Sequence, residues 1–316
     1  MTTHNEMNFE QQNIEQIIED KLREVFQDDT LTFDRSVFAG GLTNYNYIMN
    51  IHGDDYVIRQ PGKLTEQMID REIEQVNNGI ASQFGVNSEC IYFDAETGIK
   101  ISRFIPDSKN LAQSNPFSPE NLAAVSQVMK KIHTSPVHFD NHFQWLDELE
   151  KYEEIIEQIH GNLFFDYHDL KSKLLSFFTD HIVESQLVPC HNDTVPENFL
   201  ATADGQYYLI DWEYSGLNDA NWDLAAYIIE TRLPESSIDI LLETYYPDGY
   251  SIEDIMKIKG YIMAQDLLWT VWALIRHYCG DNFLDYCDMR YERFRKNIIE
   301  LSAAPEYPLY KMVYVE

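Results

Sequence analysis

The segment from 190 to 216 gathers more short polar groups than a turn requires. His191, Asn192, Asp193, Asn198, Asp211 and Glu213 lie within Cys190-His-Asn-Asp-Thr-Val-Pro-Glu-Asn198 and Ile210-Asp-Trp-Glu-Tyr-Ser-Gly216. Between the two stretches run Phe199-Leu200, then Asp204-Gly205, then Tyr207-Tyr208-Leu209-Ile210. Asp-Gly between apolar runs signals a β-hairpin. With Asp204 and Gly205 as a two-residue loop, Asn198 falls directly opposite Asp211. Opposed residues share a sheet face with Cβ atoms about 4.5–5.5 Å apart. An amide oxygen and a carboxylate at that spacing can share a hard divalent cation such as Mg²⁺ together with phosphate oxygens. Asp193, in the loop entering the hairpin, is then placed as a base. A hairpin with polar ends accounts equally for any one of these residues taken singly.

The elements that must hold these groups come from a chain of 316 residues, long enough for two domains of ordinary size or one large one. Its 44% hydrophobic content supplies a substantial core. The formal net charge is −30, from 53 acidic and 23 basic residues. Such a chain repels nucleic-acid phosphates and anionic membranes and attracts a cationic small molecule; solubility alone would also explain the charge. Four scattered cysteines without a C-x-x-C pair fit a reducing compartment. The polar segment Met1–Glu10 does not read as a signal peptide, and Tyr261–Cys279 contains Gln265, Asp266, Arg276 and His277, too polar for a membrane span. The expectation is a soluble, cytoplasmic protein without membrane insertion or a nucleic-acid partner.

Ile14, Ile17, Ile18, Leu22, Val25 and Phe26 recur at helical spacing. Strand-like segments follow at Val37–Ala39, Tyr45–Ile51, Tyr56–Arg59, Cys90–Phe93 and Lys100–Ile105, with a helix from about Leu64 to Phe84 between the third and fourth. The Pro-, Ser- and Asn-rich stretch Pro106–Pro119 reads as a linker or a crossing between lobes. Beyond it the texture is helical, at Pro119–His133, Gln144–His160, Phe165–Glu184, Trp222–Glu230, Ser236–Tyr245, Ile252–Cys279 and Asn282–Leu301. The tail from Ala303 to Glu316 reads as irregular or surface-packed.

Three further constellations carry potential chemistry. Gly40-Gly41-Leu42-Thr43-Asn44 joins two strands, where glycines let a backbone approach phosphate; a plain turn is the simpler account. Arg59 ends a strand and Glu74 lies in the next helix, on its inner side if Ile69, Ile73 and Val76 face the sheet. Such a pair would fix a cation beside phosphates, or each charge could be solvated. Trp269 and Trp272, three apart on one helix, share a face, with Tyr286 and Tyr291 following. Core packing explains such stripes, and so does cation–π binding of a quaternary ammonium, with Glu230 and Asp266 as negative charges.

Taken in chain order, Gly-Gly-Leu-Thr-Asn at 40–44, Arg59, Glu74, His-Asn-Asp at 191–193, Asn198, Ile-Asp-Trp-Glu-Tyr at 210–214 and Trp-Asp-Leu-Ala at 222–225 resemble the choline/ethanolamine kinase family, in particular its bacterial choline kinases. The resemblance spans about residues 36–295. It implies an α+β, bilobal protein-kinase-like fold shared with aminoglycoside phosphotransferases. A small antiparallel-sheet N-lobe would occupy 1–105 and a larger, mostly helical C-lobe 106–316. It implies ATP-dependent phosphorylation of choline to phosphocholine with Mg²⁺, Asp193 being the catalytic base and Asn198 and Asp211 the metal ligands. Gly41, Thr43, Asn44, Arg59, Glu74, Phe104 and Ile105 then match nucleotide-binding positions. Glu213, Glu230, Trp269, Trp272, Tyr286 and Arg290 match positions around a cationic amino alcohol. Val195 and the loop Thr231-Arg-Leu-Pro depart from the eukaryotic members. Ethanolamine, thiamine or an aminoglycoside as acceptor, and a non-catalytic scaffold, are the alternatives.

Overall fold

The computed structural model describes residues 4–41, 43–62, 65–183 and 186–315. Leu42, Leu64 and Glu184, which the sequence places in a loop and in two helices, lie outside the described residues. The chain divides into two compact units, Met1–Pro106 and Asp107–Glu316.

The first unit runs α1 (His4–Phe26), β1 (Phe38–Gly40), β2 (Tyr45–Ile51), β3 (Asp54–Gln60), α2 (Thr65–Met68), α3 (Arg71–Gln83), β4 (Cys90–Phe93) and β5 (Lys100–Arg103). The strands form one antiparallel sheet in the order β1-β2-β3-β5-β4. His52 and Gly53, both left-handed, make the two-residue turn between β2 and β3, the geometry that matches strand twist. Alternation along the strands gives the sheet two different faces. Met49, Ile51, Tyr56, Ile58, Ile99 and Ile101 pack with Ile18 and Leu22 of α1. Arg59, next to Ile58, points instead toward Glu74 of α3.

The helix expected from 64 to 84 is two helices. The chain leaves helical geometry at Ile69–Asp70, and the Asp70 carboxylate caps α3 by accepting from the backbone N–H groups of Glu72 and Ile73. Glu74 lies on the inner side as expected, but Val76 does not. Val76 is 53% exposed, while Arg71, Glu74, Asn77, Asn78 and Ala81 point inward. The apolar spacing misleads here because an ion-pair cluster, not hydrocarbon, fills the interior beside α3.

The second unit runs β6 (Ser108–Asn110), α4 (Pro119–His133), α5 (Trp145–Gln158), α6 (Tyr167–His181), β7 (Val188–Cys190), β8 (Phe199–Thr202), β9 (Tyr207–Leu209), β10 (Gly216–Asn218), α7 (Ala220–Thr231), α8 (Glu235–Tyr245), α9 (Ile252–Tyr278) and α10 (Leu284–Ala303). A Ser251–Asp254 capping box starts α9. Every residue from Ile258 to Arg276 is buried, because α5, α6, α7 and α10 pack around the helix. No helix among the described residues is long and apolar enough to cross a membrane. In the tail, Met312 and Val313 are buried.

Two short sheets position the polar loops. One has the order β6-β8-β9, so part of the expected linker is a strand; the other pairs β7 with β10. The β8–β9 register corrects the hairpin arithmetic. Phe199 faces Leu209 and Ala201 faces Tyr207, and the Ile210 N–H donates to the Asn198 carbonyl. Asn198 is therefore opposite Ile210, one residue short of Asp211. The Thr202 hydroxyl accepts from the Gln206 N–H, and Gly205 takes a left-handed conformation. Together they close a three-residue loop instead of the two-residue one.

Leu22→Ala removes a fully buried side chain from the contact between α1 and the sheet. It should destabilise the first unit by about 2–5 kcal/mol, measured as a lowered urea midpoint for the transition that includes that unit.

Candidate active site

In the first unit, β3 and β5 place Arg59 directly opposite Lys100, an arrangement of like charges that is unfavourable alone. Glu74 resolves it. Its carboxylate pairs with both terminal nitrogens of Arg59, with Arg71 Nη1 at 2.5 Å and with Lys100 Nζ at 3.5 Å. All four side chains are buried. Arg59 also donates to the Gly98 carbonyl at 3.1 Å and lies over the Phe93 ring. Arg71 donates to Asn44 Oδ1 at 2.9 Å, which ties the glycine-containing turn to α3. Burial alone would raise the Glu74 pKa; Arg59, Lys100 and Arg71 outweigh it and hold the carboxyl at about 2.

Gly41 has φ +129°, and a Cβ there would lie 1.9 Å from the Asn44 carbonyl oxygen. Only glycine fits this turn, in which Gly41 is exposed and Thr43 half-buried. Phe104 and Ile105 follow β5, half-buried, with the Phe104 N–H donating to the Asp55 carbonyl.

In the second unit, the loop after β7 carries Asp193. His191 Nε2 donates to the Ile210 carbonyl at 2.9 Å, leaving Nδ1 to accept the Asp193 N–H at 3.2 Å. The Asp223 carboxylate accepts the N–H of His191 at 3.0 Å and of Asn192 at 2.8 Å. Asn192, left-handed at φ +68°, is further held through its side chain by the Tyr214 carbonyl and Asn218. Asn198 Nδ2 donates to both the carbonyl and the Oδ2 of Asp193, at 2.9 and 3.0 Å.

Asp193 stands in a crowd of negative charge. Burial, then the carboxylates of Asp211, Glu230 and Glu213, push its pKa well above the ordinary value, against the Asn198 hydrogen bond. Asp211 has φ +69°, so a left-handed residue just past β9 supplies the orientation that strand pairing does not. With Asn198 Nδ2 committed to Asp193, its Oδ1 remains as an acceptor, and no hydrogen bond from a described residue reaches the Asp211 carboxylate. An amide oxygen and an unneutralised carboxylate beside further carboxylates fit a hard divalent cation.

The aromatic residues lie with this group. Tyr214 packs edge-on against Trp269 at 5.1 Å, and burial, Tyr152 and the charges of Glu213 and Asp193 raise its pKa. Trp272 contacts Phe283 and Tyr286. Its indole N–H has no hydrogen-bond partner among the described residues. The Arg290 guanidinium lies 4.7 Å over the Tyr286 ring. Arg290 in turn pairs with Glu230 and, at 3.1 Å, with Asp266, which also takes a two-pronged bond from Arg293. Glu230 and Asp266 are thus already neutralised by arginines, and of the expected carboxylates Glu213, buried near Asp193, is the one outside that network. Tyr291 stands apart, stacked on Phe164.

Sequence reasoning assigned no role to Arg71, Lys100, Tyr214, His133 or Asp223. An Asp inside the otherwise apolar Trp222-Asp-Leu-Ala-Ala was the available signal for Asp223. His133, Cys190 and Asp223 also bring potential metal ligands within 4.8 Å of one another. Each ligand atom is already hydrogen-bonded in the interior, so this is a hydrogen-bond cluster. A separate cavity of about 660 Å³, lined by Glu150, Glu153, Glu154 and Glu157, contains none of the expected site residues.

Residues 36–253 match the family model described as choline/ethanolamine kinase. Protein LicA of Haemophilus influenzae is 34% identical over 271 residues, covering 83% of this chain and 79% of that protein. Choline kinase LicA from Streptococcus pneumoniae superimposes with a TM-score of 0.78 at 29% identity, covering 91% of this chain and 99% of that one. A LicA structure in complex with AMP has the same TM-score and identity and covers 91% and 98%. Spectinomycin phosphotransferase APH(9)-Ia, at 16% identity, shares the fold with a TM-score of 0.60 and coverage of 92% and 98%.

Glu74→Gln should cost about 3–5 kcal/mol at pH 7, because it leaves buried cations uncompensated. The depressed pKa of Glu74 makes its contribution complete above about 4.5 and lost as pH falls toward about 2. The gap between parent and variant in urea unfolding should therefore narrow over that interval. Asp193→Asn should act in the opposite sense. A carboxyl with a raised pKa opposes folding at pH values above its ordinary 3.8. Calorimetry of metal-free, nucleotide-free protein should show the variant melting above the parent at neutral pH, with the difference vanishing below that value.

Proposed function

The chain belongs to the choline/ethanolamine kinase family, the premise from which we propose that it transfers the γ-phosphoryl group of ATP to the hydroxyl of choline. The products are phosphocholine and ADP, and the divalent ion is Mg²⁺. The observation that carries this reading is the surroundings of Asp193: a half-buried carboxyl made more basic by loss of water and by neighbouring carboxylates, in the same unit as the Tyr214–Trp269 and Trp272–Tyr286 ring pairs.

In this reading the choline oxygen attacks the γ-phosphorus, the bond to the β–γ bridging oxygen breaks, and the hydroxyl proton passes to Asp193. A base whose pKa is raised toward the working pH suits that transfer. Asn198 holds the Asp193 oxygen in place. Asn198 and Asp211 would hold Mg²⁺, which when bound offsets charge on the phosphate oxygens. The nucleotide-binding lobe, residues 1–105, handles ATP. Arg59, held by Glu74, would lie beside phosphate, Gly41 and Thr43 would offer backbone, Asn44 braces the turn through Arg71, and Phe104 and Ile105 would contact adenine. The LicA complex with AMP supports nucleotide use. Residues 106–316 handle the acceptor.

Choline is favoured over ethanolamine because two of the three expected carboxylates, Glu230 and Asp266, are taken by Arg290 and Arg293. A primary ammonium needs hydrogen-bond acceptors. A quaternary ammonium needs ring faces, and Trp269, Trp272 and Tyr286 supply them. Use of ATP and four cysteines that form no disulfide suit a cytoplasmic enzyme.

A coupled ADP-release assay with choline, ethanolamine, thiamine and an aminoglycoside should give the highest kcat/KM with choline, and Asp193→Asn should abolish turnover while retaining nucleotide binding. Rapid turnover of another acceptor with none of choline would overturn the substrate. An unchanged rate in Asp193→Asn would overturn the base.

A further inference from the structure

Asp223 holds the Asp193 loop, but Asp223 is itself held. His133, in the last turn of α4, places Nε2 2.9 Å from Asp223 Oδ2 and Nδ1 2.6 Å from the hydroxyl of Tyr245, the last residue of α8. All three side chains are buried. A carboxylate oxygen that already receives the His191 N–H can only accept, so His133 Nε2 carries the proton. In the neutral ring Nδ1 is then a bare acceptor, and the phenol is the group that donates to it. Burial raises the Tyr245 pKa, with Tyr246, Cys190, Asp223 and Asp219 adding to the effect, so the hydroxyl keeps its proton at working pH.

We infer that Tyr245 is a positioning residue for the transfer reaction: its hydroxyl sets the tautomer of His133, and His133 sets the carboxylate that grips the backbone leading to Asp193. The inference rests on Asp193 being the base. Hydrogen bonds run one way along this line, from Tyr245 O–H to His133 Nδ1 and from His133 Nε2–H to Asp223. The same carboxylate anchors the His191 and Asn192 amides, with Asn192 in a left-handed conformation. Without the phenol, Nδ1 is an unsatisfied acceptor in a dry interior. Exchanging its protonated nitrogen would turn a bare lone pair toward Asp223 Oδ2, which must then move and take the loop with it. A small displacement of a reacting group costs rate without costing affinity.

A purely structural role makes a different prediction, because α8 has other ties to α4. Ser126 Oγ donates to the Leu241 carbonyl and Lys130 Nζ to the Tyr245 carbonyl. Both survive in Tyr245→Phe.

The test compares Tyr245→Phe with Lys130→Met in steady-state kinetics on whichever amino alcohol the parent phosphorylates. Tyr245→Phe should lower kcat by roughly tenfold with both KM values within about twofold. Lys130→Met should lose thermal stability and keep its kcat. A Tyr245→Phe kcat within twofold of the parent, or an equal fall in Lys130→Met, overturns the inference. Long-range ¹H–¹⁵N spectra of the parent, with the His133 ring assigned, supply an arm that needs neither turnover nor a folded variant. Nε2 should be protonated and Nδ1 bare, and a ring protonated at Nδ1 overturns the inference. A parent that phosphorylates no amino alcohol refutes the proposed function and, with it, the role given to Tyr245.

Discussion

The carboxylate of Asp223 is a negative charge buried in an apolar helix, and the geometry of the second unit's site follows from the need to satisfy it. Two successive backbone amides, of His191 and Asn192, and the ring of His133 supply its hydrogen bonds. Thr194 adds a bond to its carbonyl. A charge taken out of water is tolerated only when donors converge on it, and here the converging donors are the loop that presents Asp193. The left-handed Asn192 is stabilised by the same arrangement, with the Tyr214 carbonyl, Asn218 and the Trp222 indole taking up its remaining polar atoms.

Each unit gathers charged side chains at one place. In the first, the buried carboxylate of Glu74 pairs with Arg59, Arg71 and Lys100. In the second, Asp211, Glu213 and Glu230 bear on Asp193. Glu230 is restrained by Arg290, and Asp266 is shared by two arginines, which trims negative charge in the aromatic region. Repulsion among the carboxylates around Asp193 carries a stability penalty that is relieved when a cation joins them.

Local chemistry made much of this legible. The strands at 45–51 and 90–93 and the helix at 119–133 have the bounds that periodicity and capping residues indicate, because each is specified by neighbours in sequence. The Arg59–Glu74 pairing was readable as a possibility, yet the apolar spacing of Ile69, Ile73 and Val76 pointed to the wrong helix face, since a cluster of three cations is assembled from residues up to 41 positions apart. The hairpin was readable as a hairpin but its register was not, because a threonine hydroxyl and one left-handed glycine lengthen the loop by a residue.

The sequence by itself determined the chemical inventory: an acid-rich loop with Asp193, Asn198 and Asp211, a strand-end cation in Arg59, and aromatic residues at helical spacing. Those follow from residue type and short-range order, which the chain carries without folding. Only the tertiary structure decided which charges remain available. Glu230 and Asp266 look in sequence like partners for a cationic ligand, and in the folded chain arginines from α10 neutralise them. The contacts among Asp223, His133 and Tyr245 are decided at the same level, because a buried charge is defined by whatever elements close around it, and those arrive from α4, α7 and α8 over distances that no local pattern encodes.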